Sequence, residues 1–534
     1  MADTVQQLLV DRIGAGTPAV KYGDRVWTWS EYLDDARRQA AALIALADPA
    51  RPLHVGTLLG NTPQMLTALA GAGLGGYVLA GINNTRRGAG LARDIARADC
   101  QILLTDVAHR GLLADLELPE VRVIDVDSAQ WTALLSTAGE LTPYREVTPA
   151  DTFMLIFTSG TSGEPKAVRV AHMMVPFSGS SLVQRFSITE DDVCYLSMPL
   201  FHSNALLAGW AVGLCAGAAM APATFSASGL LNDLRRYGVT YLNYVGKPLA
   251  YVLATPERHD DADNPLRVAF GNEAGERDVA EFGRRFGCLV WDGFGSTEGA
   301  VIITRDGDCP AGSVGRGFPG VAIYDPQTRT ECPPARFDSD GVLLNPDEAI
   351  GEIVNTTGAG LFSGYYNDAE ATGDRLRHGM YWSGDLAYRD SDGWIYLAGR
   401  TGDWLRVDGE NLACAPIERI LHRLTPASQV AVYAVPDDQV GDAVMAAIVL
   451  RDSMSLSPEE FGEFLARQPD LSPKAWPCFV WVTHGDAALP VTATNKVIKR
   501  TLNAQGTRIP DGVLWRRDPR GRTYGTVPPT GPAH

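Results

Sequence analysis

The apolar positions of the chain fall into two textures. Up to about residue 400, short apolar or β-branched runs alternate with longer stretches whose apolar residues recur every three to four positions. The runs include His54–Leu59, Cys100–Thr105, Val121–Val126, Phe153–Phe157, Val193–Met198, Val239–Val245, Leu266–Phe270 and Cys288–Trp291; Ser30–Ala47 and Arg277–Phe286 carry the helical period. Strands alternating with helices predict an α/β fold of largely parallel layers. From Gly312 to Tyr396, Gly, Asp and Pro recur between short strands, which predicts a smaller β-rich subdomain over about 312–399. Beyond Arg400 a compact α+β pattern follows: a helix over Ala415–Leu424, strands over Val430–Val435 and Ala443–Val449, and a helix over Pro458–Ala466. The expected division is therefore a large N-terminal domain over 1–400 and a small C-terminal domain over 401–515. The Pro-, Gly- and Arg-rich stretch 516–534 is expected to lack fixed structure.

With 534 residues, the chain has room for a large core without disulfides or structural metal. Its formal net charge of -17 gives no basic footprint for nucleic acid and no polybasic hold on anionic lipid. An anionic substrate would need a local positive site. The eight cysteines form no C-x-x-C pair, and inert thiols in a reducing cytosol are expected. The first residues, MADTVQQLLVDRIG, lack the pattern of a signal peptide. Ala68–Ile82 and Ala205–Ala223 are rich in Gly and Ala and fall short of about 20 strongly apolar residues, so they predict buried helices, not membrane spans.

Four segments carry candidate chemistry. Phe153–Phe157 runs directly into Thr158-Ser159-Gly160-Thr161-Ser162-Gly163-Glu164-Pro165-Lys166. Glycines let such a loop fold tightly, so that backbone N–H groups, hydroxyls and one lysine can cradle phosphates. Pro165 before Lys166 and Ala167 after it exclude a Walker A loop. The second segment is Asp292-Gly293-Phe294-Gly295-Ser296-Thr297-Glu298-Gly299. There Glu298 can hold Mg²⁺, which takes one or two carboxylates plus phosphate oxygens, and Phe294 offers a flat face to a base. The third joins Asp385, suited to ribose hydroxyls, with Arg400, a planar fork for phosphate. The fourth is Thr492-Ala493-Thr494-Asn495-Lys496. Taken singly, each reads more readily as a solvated turn or surface residue; their order along the chain makes the case.

In that order they resemble the adenylate-forming superfamily of acyl-CoA synthetases, luciferases and peptide-synthetase adenylation domains, over residues about 10 to 502. The Pro165-Lys166-Ala167 ending of the first segment, Pro199-Leu200-Phe201-His202-Ser203, Phe270-Gly271-Asn272-Glu273, and Arg400-Thr401-Gly402-Asp403 with Gly409-Glu410-Asn411 are similar to the very-long-chain acyl-CoA synthetase and fatty-acid transport protein branch. The resemblance implies that Thr158 to Lys166 holds the β- and γ-phosphates of ATP, with Thr161 and Glu298 at Mg²⁺. It implies an adenine pocket lined by Gly271, Asn272, Glu273, Asp292, Gly293 and Phe294, and Thr297 at the α-phosphate. Asp385 and Arg400 would meet ribose and phosphate, Lys496 would bridge nucleotide and acid, and His202 would gate the acyl pocket.

The implied reaction is activation of a carboxylic acid, a fatty acid first among them, to acyl-AMP with loss of pyrophosphate, then transfer to coenzyme A. A mobile C-terminal domain would hinge just after Arg400, with glycine at position 402. Rival readings keep the adenylation step but change the partner: an aromatic acid, an amine, a carrier-protein thiol, or nitrite activated for diazotisation. A non-catalytic binding protein on this scaffold is a further rival. The small residues Ser178, Gly179, Ser180, Ser181, Ala208 and Gly209 permit either a roomy acyl tunnel or tight helix packing. The expected location is the cytoplasm. Oligomeric state stays open, with a homodimer among the options, and the acidic pair Glu273 and Glu276 has no account in the sequence.

Overall fold

The computed structural model describes residues 2–158, 165–305, 307–339, 343–400, 404–407, 410–437, 441–471, 473–485, 489–491, 497–518 and 521–527. These group into two compact units, one of Met1–Ala300 with Gly358–Gly379, the other of Val301–Thr357 with Met380–His534.

The first unit is built on two sheets. One has the order Leu289–Gly293, Val268–Asn272, Tyr241–Val245, Val193–Leu196, Ala219–Pro222, Pro18–Tyr22 and Arg25–Thr28. All its neighbours are parallel except the terminal hairpin. The other runs Arg122–Asp125, Ile102–Thr105, His54–Leu58, Val78–Gly81, Thr152–Thr158 and Lys166–Ala171, with only the last pair antiparallel. Central strands such as His54–Leu58 and Val78–Gly81 are buried along their whole length, as parallel strands covered on both faces must be. That is why they read as continuous apolar runs.

Helix starts are written in the sequence. Thr28 accepts from the Glu31 backbone N–H while the Glu31 carboxylate accepts from the Thr28 N–H, closing a capping box on Trp29–Ala45. Glu276 opens the helix Glu276–Phe286, where a carboxylate meets unpaired N–H groups and the positive end of the helix dipole. Half of the acidic pair thus has a structural role. Among the described residues no helix is long and apolar enough to cross a membrane.

The second unit holds an antiparallel sheet in the order Ile303–Thr304, Gly315–Gly317, Trp394–Arg400, Met380–Arg389, Gly351–Asn355 and Val321–Tyr324. A second sheet runs Glu410–Ala413, Trp404–Val407, Gly441–Leu450, Phe479–His484, Val513–Arg517 and Tyr524–Thr526, with Ala427–Asp437 paired to Gly441–Leu450. The helix Pro458–Ala466 forms where its period and Ser457–Glu460 capping box place it. Residues beyond 516 depart from expectation: Tyr524–Thr526 pairs with Val513–Arg517. Composition misleads there because Tyr524 is buried edge-on to Phe461, and its hydroxyl donates to Pro477 O at 2.8 Å.

Candidate active site

Three strands of the first unit end level with one another: Val245 pairs Asn272, and Asn272 pairs Gly293. Their loops therefore open at one edge, the carboxyl ends of parallel strands, where α/β sheets bind ligands. A chain of amides runs across this edge. Asn243 Nδ2 donates to Asn204 Oδ1 (2.7 Å), Asn204 Nδ2 to Asn272 Oδ1 (3.0 Å), and Asn272 Nδ2 to the Gly293 carbonyl (2.8 Å). Asp292 Oδ2 accepts from Tyr244 Oη (3.0 Å) and from the Ala274 N–H (2.9 Å). That bond braces the turn where Glu273 stands in the left-handed region at φ 65. Gly271 is required, since a Cβ there would lie 2.4 Å from the Tyr244 carbonyl oxygen. Phe294 sits half-buried in the following turn.

Glu298 and Lys166, 132 positions apart in sequence, meet at one aromatic ring. Tyr365 Oη donates to Glu298 Oε1 at 2.9 Å, and Lys166 Nζ lies 5.3 Å from the centre of the Tyr365 ring. Burial first, and the Glu298 charge second, push the Tyr365 phenol well above its ordinary range, so it remains a donor. Val168 and Tyr365 also form a backbone bridge, which ties the Lys166–Ala171 strand to this tyrosine. Next to Glu298, Thr297 Oγ1 lies 2.9 Å from Ser203 Oγ. Thr158 pairs directly with Lys166 at the end of its strand.

His202 stands just before the helix Ser203–Ala205, its N–H donating to Pro199 O and its ring 4.6 Å from Phe201. Its Nε2 is buried without a hydrogen-bond partner among the described residues. Burial lowers the imidazole to about 4, so it is neutral near pH 7. Beyond it the chain makes a π-helical turn, Leu206–Trp210, before Ala211–Ala216. The small residues here serve close packing. A Cβ on Gly179 would come 2.5 Å from Ala211 O, and one on Gly209 would come 2.8 Å from Asn243 Oδ1. At these two glycines, tight helix packing prevails over a roomy tunnel.

In the second unit, Asp385 and Arg400 are paired across adjacent antiparallel strands. The Asp385 N–H donates to Ser383 Oγ (3.0 Å), and the Gly384 N–H donates to Glu352 Oε1 (2.6 Å). Ser159, Gly160, Thr161, Ser162, Gly163 and Lys496 lie outside the described residues. Sequence reading missed Tyr365, Ser203, Asn204 and Asn243. A faint signal existed for the first: Gly364-Tyr365-Tyr366-Asn367 is a turn-like run with Gly364 at φ 88.

The family described as AMP-binding enzyme matches residues 11–366. The chain is 51% identical over 512 residues to the medium/long-chain-fatty-acid--CoA ligase FadD17 of Mycobacterium tuberculosis, covering 96% of this chain and 98% of that protein. It is 46% identical over 520 residues to the steroid-22-oyl-CoA synthetase of Rhodococcus jostii, covering 96% and 92%. ATP-bound MatB from Rhodopseudomonas palustris has the same fold, with a TM-score of 0.81, 22% identity, and coverage of 95% and 99%.

Proposed function

The chain belongs to the AMP-binding enzyme family and is an AMP-forming acyl-CoA synthetase, and we propose that its acid is a medium- or long-chain fatty acid activated at the edge where Lys166, Tyr365 and Glu298 converge. The carboxylate oxygen attacks the α-phosphorus of ATP, the bond to the β-phosphate oxygen breaks, and pyrophosphate leaves. The thiol of coenzyme A then attacks the acyl carbonyl, and AMP leaves.

The convergence on Tyr365 is the observation that carries the site assignment. A carboxylate and a triphosphate repel, so cationic and donor groups must be fixed before the reactants arrive. Lys166 and Thr158 take the outer phosphates, and Thr297, oriented by Ser203, takes the α-phosphate. Glu298 suits a magnesium ion: one Oε accepts from Tyr365, and the carboxylate sits in a Gly-rich turn beside the phosphate-binding lysine. When bound, the ion would neutralise phosphate charge.

The Gly271–Asn272–Glu273 turn, braced by Asp292, takes adenine with Gly293 and Phe294. Asp385 and Arg400 take ribose and phosphate, and Lys496 the reacting carboxylate, on a C-terminal domain that hinges after Arg400. His202, neutral by burial, gates the acyl chain without placing a charge beside it.

The test is pyrophosphate release against a panel of acids, with and without coenzyme A. Turnover of fatty acids with thioester formation is expected. A second reading, a bulky steroid side-chain acid, is favoured by the Rhodococcus relative, which aligns over 92% of its length. Turnover of such an acid alone would select it. Release that needs nitrite or an amine would overturn both.

A further inference from the structure

At the opposite end of the Thr152–Thr158 strand from the phosphate loop lies a polar cavity of about 130 Å³. It is lined by His54, Val78, Arg145, Thr152, Arg169 and Tyr366, with Asp151 at its wall. His54, Val78 and Thr152 are the first residues of their strands, so the cavity sits at the amino ends of the sheet. Six residue steps at about 3.3 Å each put it roughly 20 Å from Thr158.

Both guanidinium groups are anchored by their Nε atoms. Arg145 Nε donates to the Gly76 carbonyl (3.0 Å) and Arg169 Nε to Thr152 Oγ1 (2.9 Å). The two terminal nitrogens of Arg169 have no hydrogen-bond partner among the described residues. Arg145 has one long ion pair, 3.6 Å to Asp151 Oδ1. Asp151 itself is occupied by the Thr148 turn, its Oδ2 accepting from the Thr148 N–H (2.7 Å) and Oγ1 (2.8 Å). Tyr366 Oη donates outward to Asp99 Oδ2 (2.8 Å). His54 gives its Nδ1 to the Ala98 carbonyl (2.7 Å), and burial keeps it neutral. The cavity therefore has two fixed forks, a threonine hydroxyl free to donate, and a net positive charge. Paired forks of this kind match the oxygens of a tetrahedral anion. About 10–15 Å³ of such space holds one water, so the cavity has room for an ion of phosphate size.

We propose that this cavity is a second oxyanion site, separate from the nucleotide pocket, that binds a small tetrahedral anion such as orthophosphate between Arg145 and Arg169. The proposal stands on this geometry alone and does not depend on the acyl-CoA reading.

Calorimetric titration of sodium phosphate, at constant ionic strength and with saturating AMP, tests it. One saturable event is expected, weakened at least tenfold by Arg169→Gln or Arg145→Gln and unchanged by Lys166→Ala. The absence of saturable binding would overturn the proposal. So would binding that is lost in Lys166→Ala but kept in Arg169→Gln, because that places the ion in the nucleotide pocket. If a glutamine variant fails to fold, Arg169→Lys and thermal unfolding in phosphate against chloride replace it. Phosphate should raise the Tm of the unmodified chain, and less so that of the lysine variant; equal shifts, or none, would refute the site.

Discussion

The strand edge proposed for the reaction and the helical layer behind it are held by opposite means. At the edge, side chains reach each other: three asparagines in a row, Ser203 to Thr297, Tyr365 to Glu298. In the layer, backbones approach because side chains are missing, as at Gly179 against Ala211. The edge can lose a contact and keep its shape; the layer cannot gain an atom without moving.

Each region also buries a histidine, and the two provide the largest expected effect. His172, fully buried behind Phe153, has no hydrogen-bond partner on either ring nitrogen among the described residues. Burial lowers both His172 and His202 to about 4. An unfolded chain protonates them near pH 6.5, while the folded chain resists until about pH 4. Their contribution to stability is complete above pH 6.5, falls as pH drops toward 4, and stops changing below that. For His172 the loss is on the order of 3 kcal/mol. Urea midpoints across this window should flatten in His172→Phe, which forfeits no hydrogen bond; an unchanged slope would show that burial does not hold this ring neutral.

Next in size is Glu298→Gln, expected to slow pyrophosphate release about 100-fold, the scale of losing one fixed electrostatic group, with little change in stability. A loss below threefold would remove Glu298 from the chemistry. Gly179→Ala should do the reverse: a destabilisation of about 2 kcal/mol from overpacking, read from urea unfolding, with the adenylation rate of the folded fraction preserved. Equal activity and stability losses would erase the contrast between the regions. The smallest effect is expected for Tyr365→Phe, about tenfold on kcat, because Glu298 keeps its charge but loses its donor. A KM change alone would mean that Tyr365 binds nucleotide without orienting the carboxylate.

Much of the fold was legible because local signals agree with tertiary placement. The strands entering Thr158 and Asp292 show as apolar runs, and the helix over Pro458–Ala466 pairs a period with a cap. The candidate site is readable in the sequence wherever its residues lie in Gly-rich loops. Tyr365 is not, because it reaches Glu298 from 67 positions away, and no periodicity marks that meeting. The asparagine row was hidden for a related reason: Asn243, Asn204 and Asn272 become neighbours only once parallel register brings two strands and a helix start together. The small residues of the helical layer are ambiguous in sequence, since composition is the same for a tunnel and for a seam, and only the approach of Gly179 to Ala211 separates the two. The strand at Tyr524 escaped notice because its single buried aromatic sits among residues typical of a loose tail.

The five-residue turn at Leu206–Trp210 places one surplus residue inside an otherwise α-helical run. Each residue of an α-helix advances about 100° around the axis, so excising one from this turn would spin Trp210 and the whole of Ala211–Ala216 to a new azimuth. Trp210 would swing off the Phe153 ring it stacks on, and Gly213 away from Met220. A chimera with a relative that lacks the surplus residue therefore needs its crossover points outside 203–216, with the turn inherited whole; a splice that drops that residue would rephase the helix even where every substituted residue is conservative.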